Sequence, residues 1–152
     1  MKKLSLFLLP LLLFACNAPS TLLPKFEEGW QFARWTEEMS VDGGLIHDSD
    51  SSNLGSMRFL DSGILKWVDI DSVQQNFSWS YDKKADVVNV SDWVFEARLS
   101  GSTIRQEGLD FKVLESKPKE QLWRAEYQRT VYNPFTQDSG VAIIVVQWKL
   151  ER

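Results

Sequence analysis

Phe77-Ser78-Trp79-Ser80-Tyr81 sets three aromatic side chains on alternate residues, with serines between them. In an extended chain, residues i, i+2 and i+4 project to one face. The stretch therefore reads as a half-buried strand with an aromatic inner face and a polar outer one. The same period runs outward in both directions. Trp30 and Phe32 share a face in residues 30–36, and Trp93, Phe95, Ala97 and Leu99 alternate with Val94, Glu96 and Arg98. Phe111 and Val113 alternate with Asp110 and Lys112, and Trp123, Ala125 and Tyr127 with Arg124, Glu126 and Gln128. Residues 141–150 are apolar on both faces through Val146, which predicts a strand lying between neighbours and not on an edge.

Turn chemistry separates these runs. Asp61-Ser62-Gly63 predicts a hairpin loop with glycine where a positive φ is needed. Tyr81-Asp82-Lys83-Lys84-Ala85, Ser100-Gly101-Ser102, Glu107-Gly108 and residues 133–140 are read as further turns or loops. Helix signals are poor. Residues 117–124 could hold a helical turn, but Pro118 and the alternation after it favour strand. Short connections imply antiparallel neighbours, because parallel crossovers need about a dozen residues or more. The expected fold class is all-β, an antiparallel up-and-down barrel of about eight strands, with a β-sandwich as the alternative. Seven tryptophans and nine phenylalanines supply bulky interior material. A barrel of ~8 strands has an interior that large side chains fill or that holds one small ligand.

The N-terminus is of another kind. Met1-Lys2-Lys3 precedes an apolar run over residues 4–13, then Phe14-Ala15-Cys16. These are the parts of a secretory signal, and the run is too short for a bilayer span of ~20 residues. Leu13-Phe14-Ala15-Cys16 resembles the bacterial lipobox. That resemblance implies cleavage before Cys16 and a diacylglycerol thioether on its sulfur. Cys16 is the only cysteine, so no internal disulfide is available to the chain. The expected division is a signal peptide over residues 1–15, a lipidated cysteine and tether over 16–25, and one domain over 26–152. Loss of Lys2 and Lys3 leaves 15 basic against 21 acidic side chains, a net of −6. Such a chain has no electrostatic reason to bind nucleic acid or anionic lipid. Membrane attachment falls to the acyl chains.

Gly29-Trp30 at the first strand, Phe59-Leu60-Asp61-Ser62-Gly63, and Trp79-Ser80-Tyr81 after it resemble the lipocalin-like lipoproteins common in Bacteroidetes. The resemblance implies an eight-stranded up-and-down barrel, open at one end and able to hold a small apolar ligand. It implies no catalytic residue and no cofactor.

The search for chemistry is mostly negative. His47, the only histidine, lies in the glycine- and serine-rich residues 42–53, read as a solvated loop. No nucleophile-elbow motif accompanies it. Asp48, Asp50 and Asn53 lack the glycine and closing glutamate of a calcium loop. Glu37-Glu38 are adjacent, so on a strand they face opposite sides and make a poor acid/base pair. No enzyme, metal site or catalytic residue is expected. The aromatic strand is the positive signal. Either its side chains are plain core, or Trp30, Phe32, Phe59, Trp67, Phe77, Trp79 and Tyr81 line a cavity for a small apolar molecule. Two functions follow: a membrane-tethered barrel that binds such a molecule, or a packed barrel that docks a protein partner in the cell envelope. Asn17, not aspartate, follows the cysteine, and residues 18–21 carry no acidic cluster. By resemblance to known sorting rules, outer-membrane attachment facing the periplasm is expected.

Overall fold

A computed structural model describes residues 19–24, 28–99, 102–133, 136 and 138–152. A short helix, α1 (Pro19–Leu22), precedes β1 (Trp30–Val41), β2 (Gly44–Ser52), β3 (Ser56–Phe59), β4 (Ile64–Val68) and β5 (Gln74–Asp82). Then come β6 (Val87–Leu99), β7 (Ser102–Lys117), β8 (Glu120–Asn133) and β9 (Asp138–Glu151). Every pairing is antiparallel. The order runs β1-β3-β4-β5-β6-β7-β8-β9, and β9 pairs back onto β1 from Gln31↔Glu151 to Val41↔Ala142. The fold is therefore a closed up-and-down barrel of eight strands, with β2 as an extra strand on β1. Closure removes the exposed edges that an open sheet would leave.

β2 and β3 run along the same edge of β1. Residues 53–55 interrupt them, yet Asn53 N–H donates to Ala33 O, Leu54 N–H to Phe32 O, and Gly55 O accepts from Phe32 N–H, at 2.8–3.1 Å. Gly55 is at φ +102, and a Cβ there would come within 2.8 Å of Asp69 Cα and closer still to the Val68 carbonyl oxygen. Only glycine lets the chain kink against β4 at this point. Gly29 is constrained in the same way: a Cβ on it would lie 2.7 Å from Met57 O. The expected hairpin at residues 60–63 forms, with Gly63 at φ +80.

Three expectations are corrected. Residues 42–53 are not a loop: most of them form β2, with Met39↔His47 and Glu37↔Ser49 in register. An edge strand contributes little to the core, so it carries no apolar alternation. Glu107-Gly108 does not reverse the chain. It lies inside β7, and Gly108 at φ +73 switches which residues face inward: Ile104 and Leu109 are both buried. Part of the expected tether is folded, since Leu22 and Leu23 are buried and Trp30 Nε1–H donates to Leu23 O at 3.4 Å. The described chain thus starts three residues after Cys16.

β9 lies between β8 and β1, as its two apolar faces predicted. Its inward residues Ala142, Ile144, Val146, Trp148 and Leu150 are fully buried. The start of β1, the β3–β4 loop and the β7–β8 turn lie at one end, and α1, near β5, closes it with the buried Leu22 and Leu23 beside Trp30. At the other end the wall is uneven. β4 and β5 are short, and the β7–β8 ladder stops at Lys112↔Arg124 although both strands continue.

Candidate functional site

The barrel is filled by rings. Trp30, Phe32, Phe59, Phe111, Trp123 and Trp148 are each at most 1% exposed. Phe111 and Trp148 have centroids 4.5 Å apart, Phe32 and Trp148 5.0 Å, and Phe59 and Trp79 5.2 Å in an edge-on contact. These are the separations of closely packed aromatic pairs. Trp93 closes the column from above, 4.8 Å from Trp148, 5.1 Å from Trp67 and 4.5 Å from Phe77. Trp79 donates from Nε1 to Leu60 O at 3.0 Å, which fixes its ring against the β3–β4 loop. The indole N–H groups of Trp123 and Trp148 and the side-chain oxygen of Gln121 are buried with no hydrogen-bond partner among the described residues.

The residues read from the sequence as ligand-lining thus fall into two groups. Trp30, Phe32, Phe59 and Trp79 are core. Trp67, Phe77 and Tyr81 are half-buried nearer the surface. Trp67 and Phe77 wall a groove of about 300 Å³ with Gln75, Asp92, Trp93 and Val94, on the side where β4 and β5 end early. Trp67 Nε1–H donates to Leu54 O at 2.8 Å, so the ring presents its apolar face to the groove. Tyr81 stands apart: its hydroxyl donates to Asp86 Oδ1 at 2.7 Å, and burial together with that carboxylate pushes its pKa up to about 12.

Glu37 and His47 were not expected to meet. Glu37 points inward from β1 and is 9% exposed, and His47 Nε2 on β2 lies 3.2 Å from its Oε1. Burial raises the Glu37 carboxyl above its usual range, against the opposing effects of His47 and of a hydrogen bond from Trp35. Glu38, its neighbour, is exposed on the other face. No group of three metal-ligating side chains occurs among the described residues.

The largest described opening is a cavity of about 450 Å³ where β7 and β8 part. Tyr127 stands at the point of divergence. Its hydroxyl accepts from Asp110 N–H at 2.8 Å in place of a ladder bond, and burial raises its pKa to about 12. Above it, Arg129 faces inward between Tyr127 and Val131, and its guanidinium donates to Gln106 Oε1 across the gap and to Gln128 O. Sequence reading passed over Arg129. The signal was present, because Arg129 continues the inward series Trp123, Ala125, Tyr127 at an interval of two, where a charge is out of place.

Comparison with known protein families, with curated proteins and with solved structures finds no match.

Proposed function

We propose that this chain is a lipid-anchored, packed barrel that acts as a protein-interaction module of the cell envelope. The observation that carries the reading is the filled interior. With Phe32, Phe59, Phe111, Trp123 and Trp148 in ring contact and Trp30 fully buried, the space a ligand-holding barrel keeps open is taken by side chains. Function then moves to the surface and the frayed end.

The anchor supports the same reading. A chain extends by at most ~3.6 Å per residue, so Cys16 lies within roughly 11 Å of Pro19. Pro19 sits at the closed end, beside the buried Leu22 and Leu23. Acyl chains on Cys16 would hold that end at the membrane and turn the open end away from it, toward soluble partners. The sorting features at Asn17 fit outer-membrane attachment with the domain in the periplasm. In-cell photocrosslinking tests the reading. A photoreactive residue replacing Tyr132, at the open end, should give a discrete protein adduct, and one replacing Ser80, on the wall, should not. Equal, diffuse labelling from both positions would contradict it.

A second reading keeps a small apolar ligand but moves it from the interior to the side groove of Trp67, Phe77 and Trp93. At about 300 Å³ the groove is at the small end of the range for ligand sites. A planar apolar dye whose binding is lost in Phe77→Ser would favour it.

A further inference from the structure

We infer that the cleft between β7 and β8 receives the C-terminal end of a partner polypeptide, with the terminal carboxylate on Arg129. This rests on the interaction-module reading and names the partner's chemistry. Three independent features of the cleft converge on it.

The first is backbone. From Lys112↔Arg124 toward the open end, no backbone hydrogen bond joins β7 to β8 among the described residues, while each stays paired on its other side, β7 with β6 and β8 with β9. Two strand edges therefore face each other across an opening of about 450 Å³. Side chains meet part of this backbone, Tyr127 Oη at Asp110 N–H, Gln106 Nε2 at Glu107 O and Gly108 O, and Arg129 at Gln128 O; edges not joined to a neighbouring strand are templates for an added extended segment.

The second is charge. Arg129 projects into this opening and, among the described residues, contacts only the neutral acceptors Gln106 Oε1 and Gln128 O. Among the described residues no other acceptor meets the guanidinium, whose fork of N–H donors suits a carboxylate. Arg105, on the same rim, is already held by Glu96 at 3.6 Å and Glu107 at 3.2 Å. Among the described residues the cleft thus offers one cation without a carboxylate beside it, which matches a chain terminus better than an acidic stretch.

The third is the floor. Ile104 and Val131 are 5% and 8% exposed and border the opening from either side. They offer an apolar seat for the last side chain of the incoming peptide. Entry is from the open end, so the terminus goes in first and meets Arg129 and this floor.

The test uses the full-length protein in detergent micelles. Two pools of random pentapeptides are immobilised through their N-termini, one with free C-terminal carboxylates and one amidated. Retention on the carboxylate pool should exceed that on the amide pool by about tenfold or more. The selected peptides should end in Val, Ile or Leu. Arg129→Gln should equalise the pools, Arg129→Lys should restore part of the preference, and Arg105→Gln should leave it nearly intact. A urea titration of each variant checks folding. Equal retention on both pools, or an equal loss in Arg105→Gln and Arg129→Gln, overturns the inference. So does competition by octanoate as strong as by a selected peptide, which would make the cleft a site for small carboxylates. A discrete crosslink at position 132 that survives Arg129→Gln would leave the interaction module standing and remove only this inference.

Discussion

Replacing Trp79 by alanine removes an indole that is 8% exposed and makes two specific contacts besides its burial. Its N–H bond to Leu60 O contributes about 1 kcal/mol; that carbonyl keeps its second donor, Gly63 N–H at 3.0 Å. Its edge-on contact with Phe59 adds roughly 0.5–1.5 kcal/mol beyond burial. The rest is transfer and cavity cost. Phe59 is itself wedged against Trp123 at 5.7 Å, so the hole cannot close by a simple shift. The whole should fall in the range of about 3–5 kcal/mol found for aromatic-to-alanine changes in cores. With a urea m-value of ~1–3 kcal/mol/M, the midpoint should drop by roughly 2 M, with m unchanged. Equilibrium unfolding followed by tryptophan fluorescence reads this directly. A drop below about 0.5 M at unchanged m would mean that the Trp79 ring lines open space, and would refute the packed interior.

Other consequences are as direct. Gly55→Ala places a methyl against the β4 backbone at a positive φ, and should destabilise by more than about 1 kcal/mol in the same titration; Gly43→Ala, with open space around it, should cost less. Glu37 has a raised folded-state pKa, so the fold binds its proton more tightly than the unfolded chain does. Its contribution is present below the unfolded value of 4.5 and is lost as pH rises through the folded one. Glu37→Gln should therefore flatten the decline in stability above pH 4.5, and identical pH profiles for the two proteins would contradict this. Cys16→Ser should leave the membrane fraction or keep its signal peptide; a variant that stays membrane-bound after normal processing would remove the anchor.

Most of the barrel was legible because each wall strand buries one face, and burial of one face is what a period of two records. Trp79 and Trp123 announce their strands in this way, and residues 141–150 by being apolar on both faces through Val146. β2 was not legible, since an edge strand on β1 satisfies its backbone without supplying core, and its polar alternation of His47, Ser49 and Ser51 has no hydrophobic signature. Gly108 was misread because a positive φ serves a bulge as well as a turn. Leu22 and Leu23 were hidden in a proline-flanked stretch too short for any periodicity, and only tertiary contact with Trp30 orders them. For the site, sequence could give the shared face of Phe77, Trp79 and Tyr81 but not the depth of the space in front of it. That depth depends on Trp93, Trp148 and Phe111, brought in from three other strands. Arg129 could be counted onto the inner face, yet that no carboxylate meets it among the described residues follows from the parted strands alone.

On the reading proposed above, side chains and not a ligand occupy the barrel. Mass spectrometry of an organic extract of the full-length protein, purified from its own membranes, tests it most directly. The account predicts acyl chains released from the anchor and no small molecule in stoichiometric amount. One apolar molecule per chain, recovered again after mild washing and absent from a Trp93→Ala control, would contradict it.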